Sequence, residues 1–241
     1  MKRLMPLYMV VLALFSCLAV PQSMAQGNSA NTILETMKQN ALKIKDYEVT
    51  LRIKTNVDFL KIPESESTLS FKQPDKVKLK SDHFSLVPKK FQFFSPLVLL
   101  KNDYTSFIER EEKLGNNTCY VIKIIPSGEK SEIILTTAWV DKSLLVFRKL
   151  DITTKNSGSM TLTMNYDQNI AKKYPLPSDI VFSFDLGNMS MPRGMGGNYD
   201  SDDAQKKNKQ KLSKGSVEMT FTNYKVNIGL DDKLFEETKK K

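Results

Sequence analysis

A mainly β fold, with one helix leading into a large meandering antiparallel sheet, is predicted by three observations on this 241-residue chain. From about Asn31 to Lys45 the apolar residues recur at helical spacing. At Tyr47 the period changes to two and stays there for thirteen residues. Further short β-type segments then follow one another to the C-terminus, separated by Gly, Pro and Asn turn signals. A sheet of this size with one helix at its start closes into a barrel, folds into a sandwich, or curls around something.

The helix carries Thr32 and Glu35 at capping-box spacing, and Ile33, Leu34, Met37, Ala41 and Ile44 fall on one face. Between Tyr47 and Phe59 the odd positions are Tyr47, Val49, Leu51, Ile53, Thr55, Val57 and Phe59, with polar residues between them, as one wet face of a strand requires. The remaining strands are expected at Ser67–Phe71, Lys76–Ser81, Thr105–Glu109, Cys119–Ile125, Glu132–Val140, Leu145–Thr153, Ser159–Tyr166, Ile180–Asp185 and Ser216–Val226. Turns fall at Pro74 and Asp75, Gly115 and Asn116, Ser127 and Gly128, Asn156 to Gly158, and Pro175 to Pro177. Lys76, Lys78 and Lys80 alternate with Val77 and Leu79, which puts them on one strand face, either open to solvent or turned to anionic headgroups. Two segments break the pattern. Phe84–Leu100 is apolar without a clean period, and reads either as a loop or short helix in the core or as a lid over an apolar cavity. Gly187–Gly215 is a long flexible loop carrying Met189, Met191 and Met195.

The N-terminus reads as an address. Lys2 and Arg3 precede an apolar run from Leu4 to Val20, and Ser23, Met24 and Ala25 form a small-x-small site, so residues 1–25 are expected to be a signal peptide cleaved after Ala25. The alternative is a lipoprotein anchored through Cys17, at the end of the lipobox-like Leu14, Phe15, Ser16 and Cys17. Residues 26–241 then form a single domain exported to the periplasm, and loss of Lys2 and Arg3 lowers the formal charge from +9 to +7. In that compartment a basic balance does not point to nucleic acid.

The composition leans toward binding rather than catalysis. One histidine, His83, and two cysteines, of which only Cys119 survives cleavage, leave no zinc set and no disulfide. No GxSxG elbow accompanies His83, and Gly194, Gly196 and Gly197 do not lie between a strand and a helix as a phosphate cradle does. Asp200, Asp202 and Asp203 lack the spacing of a calcium loop. Cys119 opens the run CYVIKII and reads as a buried structural thiol. No cofactor, metal or catalytic residue is nominated, and the chain is read as a non-enzyme.

The order of several segments resembles one family. The capped helix, the long alternating strand, STLSFKQPDKVKLKS, AWVDKSLLVFRKLDI, the turn at Gly158, TLTMNY, LPSDIVFSF and NYKVNIGLDDKLFEE are together similar to the LolA-like outer-membrane lipoprotein carrier and sorting proteins. Lys72, Pro74, Asp75 and Lys76 match a Pro-containing turn before a strand, and Trp139, Val140 and Asp141 match a Trp-x-Asp element. The resemblance implies an incomplete, half-open antiparallel barrel covered by the N-terminal helix and lid segments. It also implies periplasmic binding of lipoprotein or lipid acyl chains, with inner- and outer-membrane handover proteins as partners. On that footing the acyl-binding interior is expected from Val49, Leu51, Ile53, Val57 and Phe59 with Met160, Leu162 and Met164. The cover is expected from Leu34, Met37, Ala41 and Ile44 with Phe84, Leu86 and Phe91. A periplasmic sensor or adaptor, docking a protein partner on the same fold, is the other function the resemblance allows.

Overall fold

The structure, a computed structural model, describes residues 29–56, 63–81, 96–128, 131–156, 158–185 and 214–236. Helix α1 spans Ala30–Leu42 and buries Ala30, Ile33, Leu34, Met37 and Ala41. Its N-cap is Ser29, not Thr32: the Ser29 backbone is extended and its hydroxyl accepts from the Thr32 N–H at 3.2 Å. Two good capping residues lie three apart, and the earlier one wins because it starts the helix on buried Ala30. Glu35 consequently does not close a capping box but accepts from Gln39 one turn on. The helix also stops at Leu42 rather than Lys45, where the chain turns into the sheet.

All ten expected strands are present: β1 Asp46–Asn56, β2 Ser65–Lys72, β3 Lys76–Ser81, β4 Tyr104–Leu114, β5 Asn117–Pro126, β6 Ile133–Asp141, β7 Phe147–Thr154, β8 Ser159–Asn165, β9 Asp179–Asp185 and β10 Lys214–Val226. They form one antiparallel sheet in the order β3-β2-β1-β10-β9-β8-β7-β6-β5-β4. Strand β10 returns to pair with β1, and the two ends of the sheet, β3 and β4, do not pair with each other. The result is a curved half-barrel. Its bending is aided by bulges at Glu48/Thr50, Ile108/Arg110, Ile133/Leu135 and Trp139/Val140. Opposite the first of these Asn223 takes φ 59°, a conformation that Asn tolerates better than most residues.

Some boundaries differ from expectation for local reasons. Strand β7 begins at Phe147, because Leu145 sits in a turn with φ 51°. Strand β4 runs on to Leu114 through a charged stretch at the edge of the sheet, where its strand partner is β5. Lys214 and Gly215 belong to β10, so the loop expected over Gly187–Gly215 does not reach Gly215. Within Phe84–Leu100, Pro96–Leu99 form a short helix, α2, and Leu100 is buried against the core. A second short helix, α3 (Gln168–Ala171), is capped by Asp167 and leads toward β9.

Candidate functional site

The concave face is built from cross-strand rows. Thr55, Val217, Phe182, Leu162, Leu150, Ala138, Ile122 and Ile108 are successive register partners from β1 to β4. A parallel row nearer one rim is Gly215, Phe184, Met160, Ile152, Thr136, Ile124 and Ser106. A third, deeper row joins Ser65, Ile53, Met219, Ile180 and Met164. Directly opposed residues of an antiparallel pair share a face, so these rows form one apolar surface.

Val49, Leu51, Ile53, Leu162 and Met164 all lie on this surface and are buried, while Met160 is half-buried toward the rim. Leu34 and Met37 of α1 are buried in the same core, and Ile44 is buried just beyond the helix. Val57, Phe59, Phe84, Leu86 and Phe91 lie outside the described residues, as do Cys17, His83, Met189, Met191 and Met195. Not expected from the sequence were Ile180, Phe182 and Phe184 on β9 and Val217, Met219 and Phe221 on β10, which also belong to this core. Their alternation was the available signal.

The two ends of the face differ. At one end Tyr47 stacks on Phe71 at 5.1 Å and meets Tyr224 edge-on at 5.8 Å, and the Tyr224 hydroxyl donates to the Pro177 carbonyl at 2.8 Å. Burial raises the pKa of both Tyr47 and Tyr224. Nearby, the Tyr166 hydroxyl donates to the Phe147 carbonyl, and the Arg148 guanidinium lies over its ring at 5.2 Å. At the opposite rim, where β4 to β6 begin or end, a polar cavity of about 460 Å3 is lined by Lys101, Asn102, Asp103, Ser127, Gly128 and Ser131.

Helix α1 is anchored unequally. At its C-terminal end the Gln73 amide donates to the Leu42 and Ile44 carbonyls. The Asn227 side chain donates to the Lys43 carbonyl and accepts from the Lys45 N–H. Gln73 comes from the Pro74 turn, which gives that turn a mechanical role. The N-terminal end is tied by Ser106 donating to the Asn31 side chain, and the helix packs on α2 and β4.

The Trp139–Asp141 element faces the other way. Trp139 packs with Cys119 and Val121 in a small cluster separate from the main core, with the Lys149 ammonium 4.3 Å from its ring centre. Asp141 accepts from Ser143 and Leu144 and pairs with Arg148 at 2.9 Å, both partners buried. Burial by itself pushes the Asp141 carboxyl up, but these hydrogen bonds outweigh it and hold its pKa below the ordinary value. Cys119 is fully buried and unpaired, and burial, with Asp141 adding to it, pushes its thiol up to about 11. Lys72 and Lys76 both pair with Asp232, so the expected lysine stripe is partly neutralised. Among the described residues no group of three or more His, Cys, Asp or Glu is placed to hold a metal ion.

Against solved structures, the chain is similar to a DUF1329 family protein from Desulfovibrio piger, with a TM-score of 0.56, 14% identity and coverage of 85% of this chain and 94% of that one. It is also similar to a LolA superfamily protein from Nitrosomonas europaea, with a TM-score of 0.51, 14% identity and coverage of 87% and 98%. An outer-membrane lipoprotein-sorting protein domain from Vibrio parahaemolyticus gives a TM-score of 0.52 at 16% identity, covering 84% and 94%. No family model and no curated protein matches the sequence. The chain has the LolA-like fold.

Proposed function

We propose that the chain is an exported, non-enzymatic carrier that holds the acyl chains of lipoproteins or lipids on the concave face of the half-barrel for delivery toward the outer membrane. The observation that carries this reading is the continuous apolar surface formed by the cross-strand rows, under a helix fastened firmly at one end only. A LolA-like fold, shared with a lipoprotein-sorting domain, is in keeping with it.

Magnitudes favour loading. An acyl chain of roughly sixteen carbons in water costs about 12 kcal/mol at about 0.8 kcal/mol per methylene. Undocking α1 exposes Ile33, Leu34 and Met37, at about 2–3 kcal/mol each. The acyl chain then covers the sheet residues the helix leaves, so exchange of helix for ligand runs downhill. Opening starts at the Asn31 end and pivots about Gln73 and Asn227. Val49, Leu51, Ile53, Leu162 and Met164 line the interior, with Met160 at the entrance. Leu34, Met37 and Ile44 form the cover. Residues 1–25 direct export and 26–241 form the carrier domain, with acylation of Cys17 as the alternative that would anchor it.

The test is retention of acyl lipid by the chain purified from an exported fraction without detergent. A co-purifying mass that organic extraction resolves into acyl lipid or lipopeptide is the expected result. A ligand-free chain that stays so when lipid is offered would move a protein-binding adaptor into first place.

A further inference from the structure

Two side-chain hydroxyls on the concave face, Ser67 Oγ and Thr136 Oγ1, are buried and have no hydrogen-bond partner among the described residues. Ser67 lies opposite Leu51 on β2, and Thr136 lies between Ile124 and Ile152 in the row nearest the rim. Register fixes the face of each: Leu51, Ile124 and Ile152 all belong to the main apolar core. In the closed packing such hydroxyls are a cost without return, because valine or alanine would fill the same space with no stranded polar group. Other hydroxyls on the sheet are used. Thr161 donates to Asp151, Thr220 donates to Asp179, and Ser106, two positions along the same row from Thr136, donates to Asn31.

We propose, resting on the carrier reading above, that Thr136 recognises the carbonyl group by which an acyl chain is linked to its headgroup, while Ser67, opposite Leu51 beyond the deepest row, lies too far from the rim to share that role. The Thr136 site is therefore for carbonyl-linked acyl lipid, not for hydrocarbon as such. Depth fits this assignment. Ser106 shares the Thr136 row, and two residues beyond it, about 7 Å along the strand, Tyr104 pairs with Pro126 at the sheet's end. The polar cavity at Lys101 to Asp103 and Ser127 to Ser131 flanks that end. A linkage carbonyl at Thr136 therefore sits between an apolar interior, reached through Leu162, Leu150 and Ile122, and a polar exit for the headgroup. The Thr136 hydroxyl donates its one proton to a carbonyl oxygen, which an ether linkage does not offer.

The experiment compares a fluorescent diester phosphatidylglycerol with its diether analogue of equal chain length, offered to the full mature chain and to Thr136→Val. The wild type should bind the diester about tenfold more tightly, the scale of one or two buried hydrogen bonds. Thr136→Val should lose most of that preference by weakening diester binding alone, while its melting temperature stays level or rises. Thr136→Ser, which keeps the hydroxyl, should keep the preference, and Thr136→Ala should lose it and carries the comparison if Thr136→Val fails to fold. Equal wild-type affinity for both lipids, or a preference intact without the Thr136 hydroxyl, overturns the assignment while leaving the carrier reading standing. Binding of neither lipid overturns both.

Discussion

The side chains that hold this molecule's shape are polar at a few buried points, and their removal has distinct signatures. Arg148 is the clearest, since its guanidinium satisfies Asp141, reaches Asn117 and covers the Tyr166 ring. Arg148→Ala leaves the Asp141 carboxylate buried without its partner, and is expected to cost about 3–5 kcal/mol by urea unfolding. The depressed pKa of Asp141 fixes the sign of a pH effect. Its contribution to stability is complete above the unfolded value, about 3.9, and is lost as pH falls through the lower folded value. Asp141→Asn should therefore show a weaker loss of stability on acidification from pH 5 to pH 2 than the wild type, measured by thermal melts. Cys119, buried with its thiol pushed up to about 11, should resist alkylation at pH 8 in the folded chain and react fully once unfolded, as read by intact mass. Of these residues the sequence made Cys119 legible through its apolar run. It gave no sign that Asp141 and Arg148 meet, because their pairing depends on the turn between them.

At the scale of elements, alternation makes nearly every strand visible, since each has one face on the core. It fails where a strand lacks that contrast. The second half of β4, Arg110 to Lys113, lies mostly in solvent at the sheet's edge, and nothing apolar marks it. Strand β6 shows the opposite difficulty, with every residue from Thr136 to Asp141 buried because Trp139 has a second cluster of its own. Helices α2 and α3 are a single turn each, too short for a period. Helix α1 was legible, but not its cap. Ser29→Ala should destabilise the chain by about 1 kcal/mol, whereas Thr32→Ala should cost less, a comparison that chemical denaturation can make directly. The unequal anchoring of α1 gives a functional prediction. Asn31→Cys with Ser106→Cys, at side chains already in contact, should on oxidation fasten the free end of the helix to β4. The oxidised protein should load an acyl probe far more slowly than the same protein reduced. Equal rates would show that α1 does not open at that end.

The whole molecule is a ten-stranded sheet curled without closing, and its curl is what turns alternating strands into one apolar surface. The sequence carried the strands and their approximate order of use, but not which face of each would look inward. That depends on register, which places Met219 beside Ile53 and Phe182 beside Leu162 through pairings far apart in the chain. For the same reason β9 and β10 were undervalued as parts of the site. Leu162→Asp, which puts a charge into the middle row, should abolish acyl binding if the chain remains folded by circular dichroism. The most direct test of the carrier reading remains native mass spectrometry of the detergent-free exported protein. An adduct that releases acyl lipid or lipopeptide on extraction, together with displacement by added lipid, is the expected outcome. A chain with no adduct, and none acquired from offered lipid, would contradict it.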